Sequence, residues 1–153
     1  MYNGNANWEL IGAVKDAVEI PVIANGDIKS TSDAKKAIEL SGADGVMIGR
    51  ACYGRPWLIN QISQELKGLE VDADPSIAQQ KEIVLNHYEE MIKHYGEITA
   101  VPLARKHIGW YSGGLKNSSE FRAKINTTQG ADNVRKTIEN FYEKQLADVS
   151  SEN

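Results

Sequence analysis

The sequence predicts an α/β segment followed by a purely helical one, and three observations carry that reading. Two short apolar runs, Pro21-Val22-Ile23-Ala24 and Val46-Met47-Ile48, lead into the polar turns Asn25-Gly26-Asp27 and Gly49-Arg50. Runs of this kind, bounded by Gly or Pro, read as fully buried parallel strands. The helix-like stretch between them is long enough for the crossover of a βαβ unit. Beyond Pro75 the apolar residues follow the 3.6-residue period alone.

The elements follow in order. Trp8, Ile11, Val14 and Val18 fall on one face of a first helix, ahead of the strand opened by Pro21. Thr31 or Ser32 is placed to cap the crossover helix, with Asp33 in its first turn and Gly42 as its stop. After the second strand, Pro56 opens a helix through Ile62 and Leu66 to Gly68. Gly68 to Pro75 is acidic, poor in apolar anchors and reads as a linker. Ile83, Val84, His87, Tyr88, Met91, Ile92 and Tyr95 then share a helical face that ends at Gly96. Further helices are expected over Val101 to Tyr111, from a Ser118 or Ser119 cap through Ile125, and over Asp132 to Leu146. Four such helices can bury a core as a small bundle.

The chain has 153 residues, of which 41% are apolar and 25% charged. A complete (β/α)8 barrel needs roughly 200 residues or more. The expected architecture is therefore α/β plus α: the last βαβ part of a TIM barrel over residues 1–67, a linker at 68–75, a helical domain at 76–147 and a disordered tail at 148–153. No apolar run approaches the roughly 20 residues of a membrane span, and no leader-like stretch opens the sequence. A single cysteine, Cys52, allows no internal disulfide and no Cys-based zinc site, and fits a reducing cytoplasm. Charge is uneven: residues 1–99 carry 9 Lys/Arg against 15 Asp/Glu, whereas residues 100–146 carry 8 against 4. A basic segment on an acidic protein suits nucleic acid, or is simply a solvated lysine-rich face.

In an α/β barrel, ligands bind at the carboxyl ends of the strands, and the last loops commonly hold a phosphate. Asn25-Gly26-Asp27 and Gly49-Arg50 fall there. Gly26 lets the backbone approach a ligand, turn N–H groups donate to phosphate oxygens, and Arg50 brings a fork suited to an anion. The chain is expected to enter a helix after Gly49, adding its N-terminus to the anion site. Asp27, itself anionic, suits loop orientation or a ligand hydroxyl or ring N–H. The plain alternatives are an ordinary βα turn and a structural ion pair for Arg50. Cys52 reads as a small buried hydrophobe, and His87 and His94 as packing or surface residues. In the helical half, Arg105, Lys106, Lys116, Arg122, Lys124, Arg135 and Lys136 form the pool for an RNA-facing surface, the first five above all, with Trp110 as a core anchor.

These residues resemble a known family. Tyr2-x-Gly4-x-Ala6-x-Trp8, Ile20-Pro21-Val22-Ile23-x-Asn25-Gly26-Asp27-Ile28, Gly45-Val46-Met47-Ile48-Gly49-Arg50 with Gly54-x-Pro56-Trp57, and Lys106-His107-x-x-Trp110-Tyr111 are similar to tRNA-dihydrouridine synthases, the bacterial B type above all. The resemblance implies an FMN-dependent oxidoreductase that uses NADPH to reduce the C5–C6 bond of uridine in tRNA. It implies an FMN-holding TIM barrel with a C-terminal helical tRNA-binding domain. By matching position, Asn25, Gly26, Asp27, Gly49 and Arg50 are expected FMN contacts, mainly to phosphate and ribityl chain.

The family's proton-donating cysteine lies on an Asn-x-Gly-Cys-Pro-type loop that this sequence does not contain, and Cys52 does not match it. No catalytic residue and no metal site is assigned, and the chain alone is expected to be inactive. A non-catalytic RNA-binding helical module is the alternative. A flavin barrel with another substrate is a weaker one, disfavoured by the basic helical half.

Overall fold

A computed structural model of the protein describes residues 4–151. Tyr2 of the family signature and residues 152–153 of the expected tail lie outside them. The chain divides into two compact units, Met1–Ala73 and Asp74–Asn153.

The first unit runs α1 (Trp8–Asp16), β1 (Ile23–Asn25), α2 (Thr31–Ser41), β2 (Gly45–Met47), a single 3-10 turn at Arg50–Cys52, and α3 (Trp57–Leu66). β1 and β2 pair in parallel, Ile23 opposite Gly45, Ala24 opposite Val46 and Asn25 opposite Met47. Asp44 fastens the start of this ladder: its carboxylate accepts from the Val22 N–H and from Lys15 Nζ, both at 2.7 Å. The Lys15 bond, then the Val22 N–H, holds its carboxyl below the usual carboxylate range. Side chains alternate across a strand, so Ala24 and Val46 turn toward α2. There Ile28, Ala34, Ala37, Leu58 and Ile62 form a small core with Trp8 and Ile48 packed on it.

Several expectations are corrected here. The strands are not buried on both faces: Ile23 and Met47 are 55% and 54% exposed, because helices cover only one side of the two-stranded sheet. No residue of α1 is fully buried, and Val14 and Leu10 face outward. α2 is capped by Ser30, whose Oγ accepts the Asp33 N–H at 3.1 Å, rather than by Thr31 or Ser32. Gly42 does close α2, in the left-handed conformation.

The stretch after α3 is irregular but held. Asp72 accepts from Gln64 Nε2 at 2.7 Å and Asn60 Nδ2 at 3.2 Å, its N–H donates to Gln64 Oε1 at 3.1 Å, and its carbonyl accepts from Gln61 at 3.0 Å.

The second unit comprises α4 (Ile77–Tyr95), α5 (Glu97–Tyr111), α6 (Ser118–Thr127) and α7 (Ala131–Ser151). Ser76 opens α4 with a full capping box to Gln79. α4 packs on α5 and α7, and α6 on both of the latter. Tyr88, Ile108, Ile125, Val134, Ile138 and Tyr142 form the interior. Buried Tyr88 gives its hydroxyl hydrogen to the Ala131 carbonyl, and burial pushes its pKa up to about 12.

α5 begins a full turn before Val101, because Gly96 ends α4 and starts α5 at once; Pro102 then lies inside the helix. Neither Ser118 nor Ser119 caps α6, which starts from Asn117 in the left-handed conformation with no side-chain cap bond. α7 continues to Ser151, so residues 148–151 are helical where a disordered tail was expected.

Candidate functional site

The first unit opens a cleft of about 260 Å3 at the carboxyl ends of β1 and β2, lined by Asn25, Gly26, Asp27, Gly49 and Arg50 together with Lys29. All five residues expected from sequence to contact a cofactor therefore meet in one place. Gly26 and Asp27 both have positive φ, 112° and 53°. Gly26 is required twice over, by that angle and because a Cβ would lie 2.7 Å from the Cβ of Ala6.

Two hydrogen bonds tie the start of α1 and the residues just ahead of it over this turn. The Ala6 N–H donates to Asp27 Oδ2 at 2.7 Å, and Trp8 Nε1–H donates to the Gly26 carbonyl at 3.0 Å. Asp27 is thus first a brace for the loop.

The second turn differs from its expectation. A three-residue 3-10 turn follows Gly49, and α3 starts only at Trp57, so the expected long helix does not begin directly after Gly49. What remains is local. The first donor closed within the turn is Cys52 N–H, to the Gly49 carbonyl at 3.3 Å, which leaves the Arg50 and Ala51 N–H groups outside that ladder. The Arg50 side chain is exposed, and among the described residues it is in no ion pair, nor is Lys29. The cleft offers backbone donors and two cations outside any ion pair beside a braced glycine turn, a donor set suited to a phosphate monoester. Cys52 turns its thiol back to the Gly49 carbonyl at 3.1 Å.

In the second unit, Arg105, Lys106 and Arg122 line one shallow cleft of about 290 Å3 with Trp110 and Asn126. Lys106 Nζ lies 5.3 Å from the Trp110 ring centroid, a cation–π contact. Arg105 donates to the Thr128 carbonyl at 3.1 Å, while its buried Nε has no partner. Arg122 packs over Gly109, where an added Cβ would meet its Cγ at 3.5 Å, an ordinary contact.

Other basic residues expected on this surface do not line this cleft. Lys116 pairs with Asp148 at 3.0 Å, and Lys124 lines a separate cavity. Arg135 is held by Glu89 and Asp132.

Two features escaped sequence reasoning. Lys29 was overlooked although it stands two positions beyond Asp27 in the same loop. His87 Nδ1 and the Tyr111 hydroxyl share a hydrogen bond of 3.0 Å, and His107 packs edge-on against the His87 ring. Burial lowers the pKa of both imidazoles, and for His107 the nearby His87 and Lys106 lower it further.

A sequence model of the family described as Dihydrouridine synthase (Dus) matches residues 1–147. The chain belongs to the dihydrouridine synthase family. It is 54% identical over 141 residues to a probable tRNA-dihydrouridine synthase of Rickettsia conorii, an alignment covering 92% of this chain and 43% of that protein. It is 43% identical over 143 residues to tRNA-dihydrouridine synthase B of Pseudomonas aeruginosa, covering 93% and 43%. With the Pseudomonas putida synthase B it shares 36% identity over 152 residues, 99% of the chain and 45% of that protein. The chain thus spans less than half the length of these dihydrouridine synthases. Among the described residues no helix is long and apolar enough to cross a membrane, and no group of three or more His, Cys, Asp or Glu is placed to hold a metal.

Proposed function

We propose that this chain is the C-terminal part of an FMN-dependent tRNA-dihydrouridine synthase, its first unit closing a TIM barrel and its second binding tRNA. The observation that carries the reading is the cleft in which Asn25, Gly26, Asp27, Gly49 and Arg50 converge. Its fit to FMN rests on the Arg50 and Lys29 cations and the turn N–H groups, which suit the phosphate. Asn25 offers an amide to the ribityl hydroxyls. Asp27 keeps the loop in shape through Ala6 and leaves Oδ1 to accept from a cofactor hydroxyl.

FMN, when bound, supplies the hydride that reduces uridine at C5–C6, with NADPH as the reductant of the flavin. The residues of this chain bind and orient the phosphate end of the cofactor. We assign Cys52 no part in the reaction, since its thiol is directed to Gly49. The general acid comes from outside this sequence, so the chain alone is inactive. Arg105, Lys106 and Arg122 beside Trp110 give the second unit a surface suited to the phosphates of tRNA.

The test is a chimera in which this chain replaces the matching region of the Pseudomonas aeruginosa synthase B. Flavin content and dihydrouridine in tRNA are then read by absorbance and mass spectrometry. The chimera is expected to hold FMN and form dihydrouridine, and residues 1–153 alone to form none. A folded chimera without flavin would sink the cofactor reading.

A further inference from the structure

A second cavity, apart from the basic cleft, lies between α6 and α7 and measures about 150 Å3. Its floor is apolar: the Phe121 and Phe141 rings stack at 4.0 Å with 15° between their planes, and both are more than nine-tenths buried. Its wall is polar. Gln145 is 93% buried, and its Nε2 donates to the Lys116 carbonyl at 3.0 Å. Its Oε1 accepts from no other described residue and, unlike Arg105 Nε, is not sealed from solvent. A mostly buried amide on a cavity wall with such an open acceptor is suited to a ligand's N–H. Asn140 adds an exposed amide, which both donates and accepts.

Charge completes the site. Lys124 and Lys144 stand on the lining, and neither is in an ion pair among the described residues. Glu120 is the one carboxylate on the lining, where a ribose hydroxyl is its natural donor. A small apolar floor, an open amide acceptor with a second amide beside it, and two ammonium groups outside any ion pair suit the edge of a heterocyclic base carrying a phosphate.

We propose that the cavity between α6 and α7 takes one ribonucleotide, its base on the Phe121–Phe141 floor against Gln145 and its phosphate on Lys124 and Lys144. The inference rests on the reading of the second unit as tRNA-binding and names a contact separate from the Lys106–Trp110 cleft. It also gives Lys124 a role that its distance from that cleft otherwise denies it. The shared chemistry is that of a nucleoside monophosphate, either free or as one nucleotide of an RNA.

The experiment follows the side-chain amide NMR signals of Gln145 and Asn140 in the 153-residue protein. Uridine 5′-monophosphate and an unmodified tRNA transcript are added in separate titrations. Shifts of the Gln145 amide with both ligands are expected, together with roughly tenfold weaker tRNA binding by a K124E/K144E double variant that keeps its helical circular dichroism. Gln145→Leu is expected to weaken nucleotide binding without that change in charge. Response to the mononucleotide alone supports the cavity with a free nucleotide as its source. A silent Gln145 while tRNA perturbs the Lys106–Trp110 cleft overturns the inference and leaves tRNA binding standing. No response to either ligand anywhere in the second unit overturns both.

Discussion

Trp8 Nε1–H donates to the carbonyl of Gly26 at 3.0 Å, so the residue that opens α1 also holds a turn that lines the cleft at the ends of β1 and β2. Asp27, the next residue, accepts from Ala6 at 2.7 Å. A local brace of this kind fixes backbone N–H directions before any ligand arrives. Trp8→Phe keeps an aromatic ring on the core but removes the indole N–H, and the lost hydrogen bond alone costs about 1 kcal/mol. Gly26→Ala sets a Cβ against Ala6 in a positive-φ conformation and is expected to cost roughly 1–3 kcal/mol. Urea unfolding of the two variants should rank them in that order, and equal midpoints would refute the brace.

If the cleft holds FMN as proposed, Arg50 faces its phosphate and not its flavin ring. A charge-assisted bond to phosphate contributes on the order of 1.5–3 kcal/mol, so Arg50→Met in the chimera should weaken FMN binding at least tenfold. Riboflavin, which lacks the phosphate, should bind both proteins alike. Fluorescence quenching measures both ligands, and an equal loss for riboflavin would place Arg50 elsewhere.

The cleft was legible in the sequence because its residues sit in two contiguous turns. Asn25-Gly26-Asp27 and Gly49-Arg50 need only a parallel pairing to meet, and two apolar runs with a helical crossover allow little else. What lay hidden depends on neighbours distant in sequence. The exposure of Ile23 and Met47 reflects what covers the far face of the sheet, about which local pattern is silent. Charge composition likewise pooled Lys116 and Lys124 with Lys106. Only the packing of α6 and α7 reveals that Asp148 takes the first and that a separate cavity takes the second.

The histidine pair gives the second unit an acid-sensitive stability. Burial holds the folded-state pKa of His87 and of His107 below the ordinary value of 6.5. The unfolded chain then binds more protons than the folded one as pH falls past 6.5. Stability is full above about pH 7.5 and declines through 6.5 until the folded-state pKa values are reached. His87→Gln should flatten this decline between pH 7.5 and 5.5 in thermal unfolding. An unchanged slope would assign the acid sensitivity to other groups.

Asp72 decides whether the segment after α3 behaves as a linker. Its side chain and backbone make four hydrogen bonds to Asn60, Gln61 and Gln64. Asp72→Ala removes the two carboxylate bonds and should free the segment for local opening. Protease cleavage between residues 67 and 76 is expected to accelerate about fivefold or more, since about 1 kcal/mol of lost protection is a fivefold gain in the open population. Mapping the first cut by mass spectrometry checks this, and a first cut that stays elsewhere at the same rate would show the docking to be idle.

The basic cleft makes the sharpest distinction among the cations of the second unit. Lys106 lies over Trp110 and shares a surface with Arg122, whereas Lys116 is committed to Asp148. Counterion release makes each phosphate contact visible as a slope of log affinity against log salt. Lys106→Ala and Arg122→Ala should each weaken tRNA binding and reduce that slope by about one. Lys116→Ala should leave the slope unchanged, because its ammonium is already paired. Binding isotherms for an unmodified tRNA transcript at several salt concentrations measure all three. If Lys116→Ala lowers the slope as much as Lys106→Ala does, the RNA reads total charge and the cleft has no special part in binding it.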